Sequence, residues 1–290
     1  MKTGFVLSGG GSLGAVHVGM LQALVGAGVR PDLVVGTSVG ALNGAYFAAD
    51  PTVEGVTRLD RIWRRLRTRD VFPINLWQAM RAATGLDDHL IDDRGLRALI
   101  ADHLPIERLE HARVPLRVVA TGLESGRELV FGDGPAAERI AASAAIPGIF
   151  PPVNVGPEVA VDGGVVNNSP LAVAAREGCD RVIVLTTSLT CRRSRRTPLP
   201  ALGVALQSLN LLIGRQLIND VRMLRDRVDI RVIPPLCPLP VLPSNFSQSG
   251  LLIDQSRALA EDWLAKGGLD EGELPPAWQA EQCLLATCGG

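Results

Sequence analysis

The sequence predicts an α/β protein, a three-layer α/β/α sandwich built around a mostly parallel central sheet. Three observations predict it. Gly4-Phe-Val-Leu-Ser8, a glycine turn and an apolar helix lead into a second strand at Leu33, and that order is the unit of a parallel sheet. A second strand-turn-helix passage follows from Leu33 through Gly36-Thr-Ser-Val-Gly40 to Ala49. Much later, Arg181-Val-Ile-Val-Leu-Thr186 is a strongly β-branched core strand.

The elements follow in order. The first helix runs from about Leu13 to Ala27, with Val16, Met20, Leu21 and Leu24 on one face, and Gly28 closes it. Asp50-Pro-Thr starts another helix, which carries Arg58, Arg61, Arg64, Arg65, Arg67 and Arg69. Val71 to about His89 has no strand signal and reads as a loop-rich insertion. Asp92 to His103 is helical, Leu116–Thr121 and Glu128–Phe131 are strands, and Ala136 to Ala145 is helical. Ile146-Pro-Gly-Ile-Phe-Pro-Pro152 is a proline-fixed turn, and Val159–Val161 a short strand leading into Asp162-Gly-Gly164. Ser169–Arg176 is helix, Leu199 to about Arg225 a long helix, Ile230–Ile233 a strand and Leu251–Lys266 a final helix. Pro234 to Pro243 is an extended surface crossing.

Bulk properties exclude several function classes. The chain has 290 residues, enough for one large α/β domain, and 47% hydrophobic with 20% charged residues argues against long disorder. A net charge of −1 gives no basic field for nucleic acid. The five cysteines (Cys179, Cys191, Cys237, Cys283, Cys288) are scattered without ligand spacing, so neither a zinc site nor a disulfide framework is indicated, and a reducing, cytoplasmic setting is expected. Gly9 to Gly14 interrupts the apolar N-terminal stretch, which argues against a signal peptide. The longer uncharged runs are broken by Gly or Pro, so contact with a membrane surface is expected rather than a span.

Two glycine turns carry the chemistry. In Gly36-Thr37-Ser38-Val39-Gly40 the flanking glycines remove side chains where strand and helix nearly touch, leaving Ser38 strained with its hydroxyl pushed out of the turn, the geometry of a nucleophile elbow. Gly9-Gly10-Gly11-Ser12-Leu13-Gly14 fits G-x-G-x-x-G, yet a dinucleotide site needs an acid at the end of the second strand, where Gly36-Thr-Ser38 stands instead. The other use of such a turn is an oxyanion hole, and the bland alternative is a tight turn with no ligand. Ser38 needs a base. His17, His89, His103 and His111 all precede the late position that a Ser–acid–His order requires. Asp162 is the better partner, because a partly buried carboxylate touching the hydroxyl can act as general base. Taken alone, Asp162-Gly163-Gly164 reads first as a turn whose carboxylate caps backbone N–H groups; the other motifs turn the reading toward a base.

Together with Ser143-Ala-Ala-Ile-Pro-Gly-Ile-Phe-Pro-Pro152 and Asn167-Asn-Ser-Pro170, these motifs resemble the patatin-like phospholipase family in order and spacing from about Gly4 to Ala175. The resemblance implies a Ser–Asp dyad, with Ser38 as nucleophile, Asp162 as base and the amides of the Gly10–Gly11–Ser12 turn as oxyanion hole. It implies no cofactor and no metal. The family often carries Arg or Lys where this chain has Leu13, which weakens the expectation of phospholipid preference.

The expected activity is serine-dependent hydrolysis of acyl-lipid esters through an acyl-enzyme. The alternatives are an acyltransferase using the same elbow and a catalytically silent lipid-binding module. Residues 4–175 are expected to form the catalytic core, 176–268 to complete the same α/β domain, and 269–290 to be an irregular tail. The arginine helix admits two readings: docking on anionic headgroups with Trp63 as anchor, or a solvated face with Trp63 in the core, which is preferred. Cys191-Arg-Arg-Ser-Arg-Arg196 reads as an exposed basic loop.

Overall fold

The computed structural model describes residues 1–73, 87–187, 201–236 and 241–270. Its centre is an eight-stranded sheet: β1 (Thr3–Leu7), β2 (Leu33–Thr37), β3 (Leu116–Gly122), β4 (Glu128–Phe131), β5 (Val153–Val155), β6 (Glu158–Asp162), β7 (Arg181–Leu185) and β8 (Asp229–Val232). The strand order is β5-β6-β3-β2-β1-β7-β8, with β4 paired to β3 off this path. From β3 to β8 every pairing is parallel, while β4, β5 and β6 join antiparallel. The three-residue β5 escapes the sequence reading, because a strand so short leaves no periodic signal.

The helices are α1 (Ala15–Gly26), α2 (Val39–Ala49), α3 (Val53–Arg65), α4 (Thr68–Val71), α5 (Arg94–His103), α6 (Ala136–Ser143), α7 (Leu171–Arg176), α8 (Ala201–Leu224) and α9 (Ser249–Ala265). β1 shows how they form layers. Phe5 and Leu7 point into one core with α1, α2 and α3, whereas Val6 points into a second with Val182, Val184, Leu217 and Val221. A strand covered on both faces is apolar at every position, and Phe5, Val6 and Leu7 are each 0% exposed.

Against the expectation of one apolar face, α1 is buried almost all round, because α9 packs along it and α3 packs against it as well. A side chain at Gly19 would run into the Ile253 carbonyl and Ser256, so glycine there permits close helix contact. α3 begins as expected: Thr52 accepts the Gly55 amide at 3.0 Å as an N-cap. Trp63 is 2% exposed, donates Nε1–H to Asn43 Oδ1 at 2.9 Å and stacks on Phe246. Trp63 thus lies in the core, Arg58 pairs with Asp50 and Arg64 with Asp60 and Asp254, whereas Arg67 and Arg69, expected on the same helix, lie beyond its end at Arg65. The expected basic loop Cys191–Arg196, most of the 71–89 insertion and most of the 269–290 tail lie outside the described residues. Among the described residues no helix is long and apolar enough to cross a membrane.

The sheet register explains how distant motifs meet. β2 and β4 both pair with Val118 and Val119, so they lie on opposite edges of β3. β4 and β6 both pair with Ala120 and Thr121, so they too lie on opposite edges. β6 therefore takes over the edge that β2 leaves. Thr37 stands opposite Val119, and Asp162 opposite the next residue, Ala120. The last residue of β6 is thereby set against the turn that follows β2.

Candidate active site

Ser38 caps α2 at φ 56°, ψ −125° and is the one non-glycine residue with positive φ among the described residues. An L-residue reaches that region only under strain, and the surroundings hold it there. A Cβ on Gly36 would strike the Gly40 carbonyl, and one on Gly40 would strike the Leu7 carbonyl. The Ser38 carbonyl accepts the Ala41 and Leu42 amides at 2.9 and 3.2 Å, and its own N–H donates to Ser143 Oγ at 2.9 Å. Thr37 Oγ1 donates to the Asn167 carbonyl at 2.9 Å, tying the elbow to the segment after Asp162.

Asp162 is 7% exposed. Its Oδ1 accepts the Gly164 amide at 2.7 Å, so the capping role that the bare Asp-Gly-Gly turn suggested is present. Burial pushes the carboxyl up to about 6, working against contact with the Ser38 side chain and the Gly164 amide, which favour the charged form. The Asp162 N–H donates to Ala145 at 2.8 Å, and Thr121 Oγ1 donates to the Asp162 carbonyl at 2.9 Å. A side chain at Gly163 would collide with the Val119 carbonyl, so a glycine must follow Asp162 at this strand end.

The glycine turn packs beside the elbow, where a Cβ on Gly9 would lie 3.2 Å from Ser38 Cβ. Asn168 and Thr187 crowd the outer side: Gly9 N–H donates to the Asn168 carbonyl at 3.1 Å, and Thr187 Oγ1 donates to the Gly9 carbonyl. Residues Gly11–Gly14 form a 3₁₀ turn before α1 begins, and Gly14 clears space for Val39. The Ser12 amide, expected as an oxyanion donor, is instead taken by the Pro243 carbonyl at 2.7 Å, while Ser12 Oγ donates to Leu242 at 3.0 Å. Gly9 is likewise engaged. The Gly10 and Gly11 amides have no acceptor among the described residues, so they are the donors the turn leaves open. Leu13 is buried in the main core.

No histidine hydrogen-bonds Ser38 among the described contacts. His17 is fully buried in α1 with Nδ1 3.3 Å from Asn43 Nδ2, and burial lowers its pKa to about 3, so it is neutral. Among the described residues no group of three His, Cys, Asp or Glu side chains is placed to hold a metal. The sequence reading did not single out Ser143, Asn168, Thr187 or Pro243. The first two lie inside quoted motif stretches, whereas no local pattern marks Thr187 or Pro243.

The family described as Patatin-like phospholipase matches residues 5–175. The chain is 28% identical over 184 residues to the Neuropathy target esterase sws of Drosophila melanogaster, covering 63% of this chain and 12% of that protein. An uncharacterised NTE family protein of Mycobacterium tuberculosis is 30% identical over 209 residues, covering 70% of this chain and 32% of that protein. The chain thus spans about an eighth to a third of the length of these relatives. Among solved structures, human GIVD cytosolic phospholipase A2 in complex with methyl γ-linolenyl fluorophosphonate aligns with a TM-score of 0.49 at 12% identity, over 92% of this chain and 58% of that one.

Proposed function

This chain belongs to the patatin-like phospholipase family, and from that membership we propose that it is a serine hydrolase cleaving carboxylic ester bonds of phospholipids or related acyl lipids. The reaction proceeds through a Ser38–Asp162 dyad. Asp162 takes the proton from Ser38 Oγ, which attacks the ester carbonyl. The tetrahedral oxyanion is received by the Gly10 and Gly11 amides. It collapses as protonated Asp162 returns the proton to the departing alcohol or lysolipid. Water, deprotonated by the same carboxylate, then releases the fatty acid and restores Ser38.

The observation that carries this reading is a serine held at φ 56° with a buried carboxyl set against it by the β3 register. A carboxyl with a pKa of about 6 is ionised at neutral pH yet basic enough to share the serine proton, which an exposed aspartate near 4 does poorly. Neutral His17, engaged with Asn43, offers no competing base.

Ser38→Ala and Asp162→Asn, assayed against p-nitrophenyl esters and a phospholipid panel, test the dyad. Both are expected to lose at least about 10³-fold in turnover, and a fluorophosphonate probe to label wild type but not Ser38→Ala. Wild-type turnover in either folded variant would sink the proposal. Acyl transfer to an added alcohol outpacing hydrolysis would reassign the enzyme as a transferase.

A further inference from the structure

The turn that closes α6 touches the backbone of both proposed dyad members from the buried side. Ser143 Oγ accepts the Ser38 N–H at 2.9 Å and donates its own proton to the Val119 carbonyl in β3. Two residues later the Ala145 carbonyl accepts the Asp162 N–H at 2.8 Å. Ser143 is 0% exposed, so no solvent stands ready to replace its hydroxyl. The direction of the chain is set by its ends: Val119 offers only a lone pair and Ser38 only a proton, so Ser143 must pass one and accept the other.

We infer that Ser143 is a positioning residue, holding the Ser38 peptide in its left-handed conformation and, together with the Ala145 carbonyl, setting the spacing between Ser38 and Asp162. The inference rests on the reading of those two residues as nucleophile and base. Its physical basis is that Ser38 occupies a strained backbone state with lower-energy alternatives close by. A buried N–H that loses its acceptor drives the peptide toward those alternatives, and Oγ swings with it. Val119, opposite Thr37 in the sheet, ties the hydroxyl to the strand that also sets Asp162, so one rigid frame fixes both reacting groups.

Ser143→Ala, Ser143→Thr and Ile140→Val test this. Ile140 lies one turn earlier on α6, equally buried, and its truncation costs packing without touching a hydrogen bond. Ser143→Ala is expected to lower kcat by roughly 10- to 100-fold with KM within about twofold of wild type, the scale of a small misplacement of a reacting group. Fluorophosphonate labelling of Ser38 should slow in parallel, and the acidic limb of the pH profile should move up, because Asp162 loses the Ser38 contact that favours its charged form. Ser143→Thr should restore most of the turnover, and Ile140→Val should keep it at a comparable loss of melting temperature. Turnover in Ser143→Ala within about twofold of wild type would overturn the inference. So would an equal kcat loss in Ile140→Val. If Ser143→Ala does not fold, Ser143→Cys replaces it, keeping the volume but weakening the acceptor, with an intermediate loss expected. Full activity in Ser38→Ala would break the dyad reading itself, whereas full activity in Ser143→Ala beside a dead Ser38→Ala breaks this inference alone.

Discussion

Two residues of positive φ follow adjacent parallel strands, and they are alike in φ and opposite in consequence. Gly11, after β1, has φ 58°, and Ser38, after β2, has φ 56°. At Gly11 the conformation costs little, the amide is left open, and the space a side chain would need is filled by the Pro243 carbonyl. At Ser38 the positive φ costs roughly 1–3 kcal/mol, and its effect is to aim a hydroxyl rather than an amide. One supersecondary unit, used twice, thus presents an open amide in its first copy and a serine hydroxyl, the proposed nucleophile, in its second. The difference lies in whether a Cβ is present.

The strongest way to break this comparison is to put a Cβ where it is excluded. Gly11→Ala should drive the turn off Pro243 and misdirect the open amides, lowering turnover by about 10²- to 10³-fold, the range for loss of an oxyanion donor. Gly26→Ala, at the end of α1 with nothing near its Cβ position, should leave ester hydrolysis unchanged. Equal activity in the two variants would show that the first turn has no catalytic part.

The second turn has a further cost, since a carboxylate is buried against it. The folded pKa of Asp162, about 6, lies above its ordinary value of 3.8, so folding disfavours the ionised form. Wild type therefore loses stability as pH rises from about 4 to 6 and regains none above. Asp162→Asn should be more stable by up to roughly 3 kcal/mol at pH 7, the gain fading as pH falls towards 4. Paired urea titrations at several pH values measure it. The difference between the two proteins is the quantity to read, because Asp220, half-buried near Glu128, is also raised to about 6 and adds the same trend to both. Hydrolysis should follow the opposite course and rise through pH 6. A less stable, inactive Asp162→Asn would mean that the carboxylate serves mainly to cap Gly164.

The smallest effect isolates backbone strain. Ser38→Gly and Ser38→Ala both lack the hydroxyl, but only glycine relaxes at φ 56°. Ser38→Gly should exceed Ser38→Ala by roughly 1 kcal/mol in denaturant unfolding. Equal stability would indicate that the elbow is unstrained.

Much of this geometry was legible in the chain because it is local. Glycines two residues either side of Ser38, an apolar run before it and a helix after it describe the elbow without reference to anything distant. The count and placement of histidines pointed to Asp162. What stayed hidden depends on long-range register. That Asp162 follows Thr37 along one edge of β3 requires β6 to run antiparallel, and no residue in Glu158–Asp162 announces a direction. The Ser12 amide looked free because its acceptor lies 231 residues later, in a proline-rich stretch with no motif of its own. Ser143 stood inside a recognised motif, yet its role appears only once the Ser38 amide is seen to need an acceptor.

The position of β7 bears on how the protein can be divided. The family match ends at residue 175, whereas β7 begins at Arg181 and pairs along the full length of β1, from Thr3 to Leu7. A fragment cut at the end of the match would turn a central strand, buried at four of its five positions, into an open edge, with Phe5, Val6 and Leu7 beside a row of unpaired amides and carbonyls. Such an edge is a template for self-association. It would also lose Leu242 and Pro243, the carbonyls that hold Ser12. For recombinant work, the smallest useful piece is therefore set by strand pairing and not by the motif span: it must extend at least through β8 to cover β7, and on to α9 to cover α1.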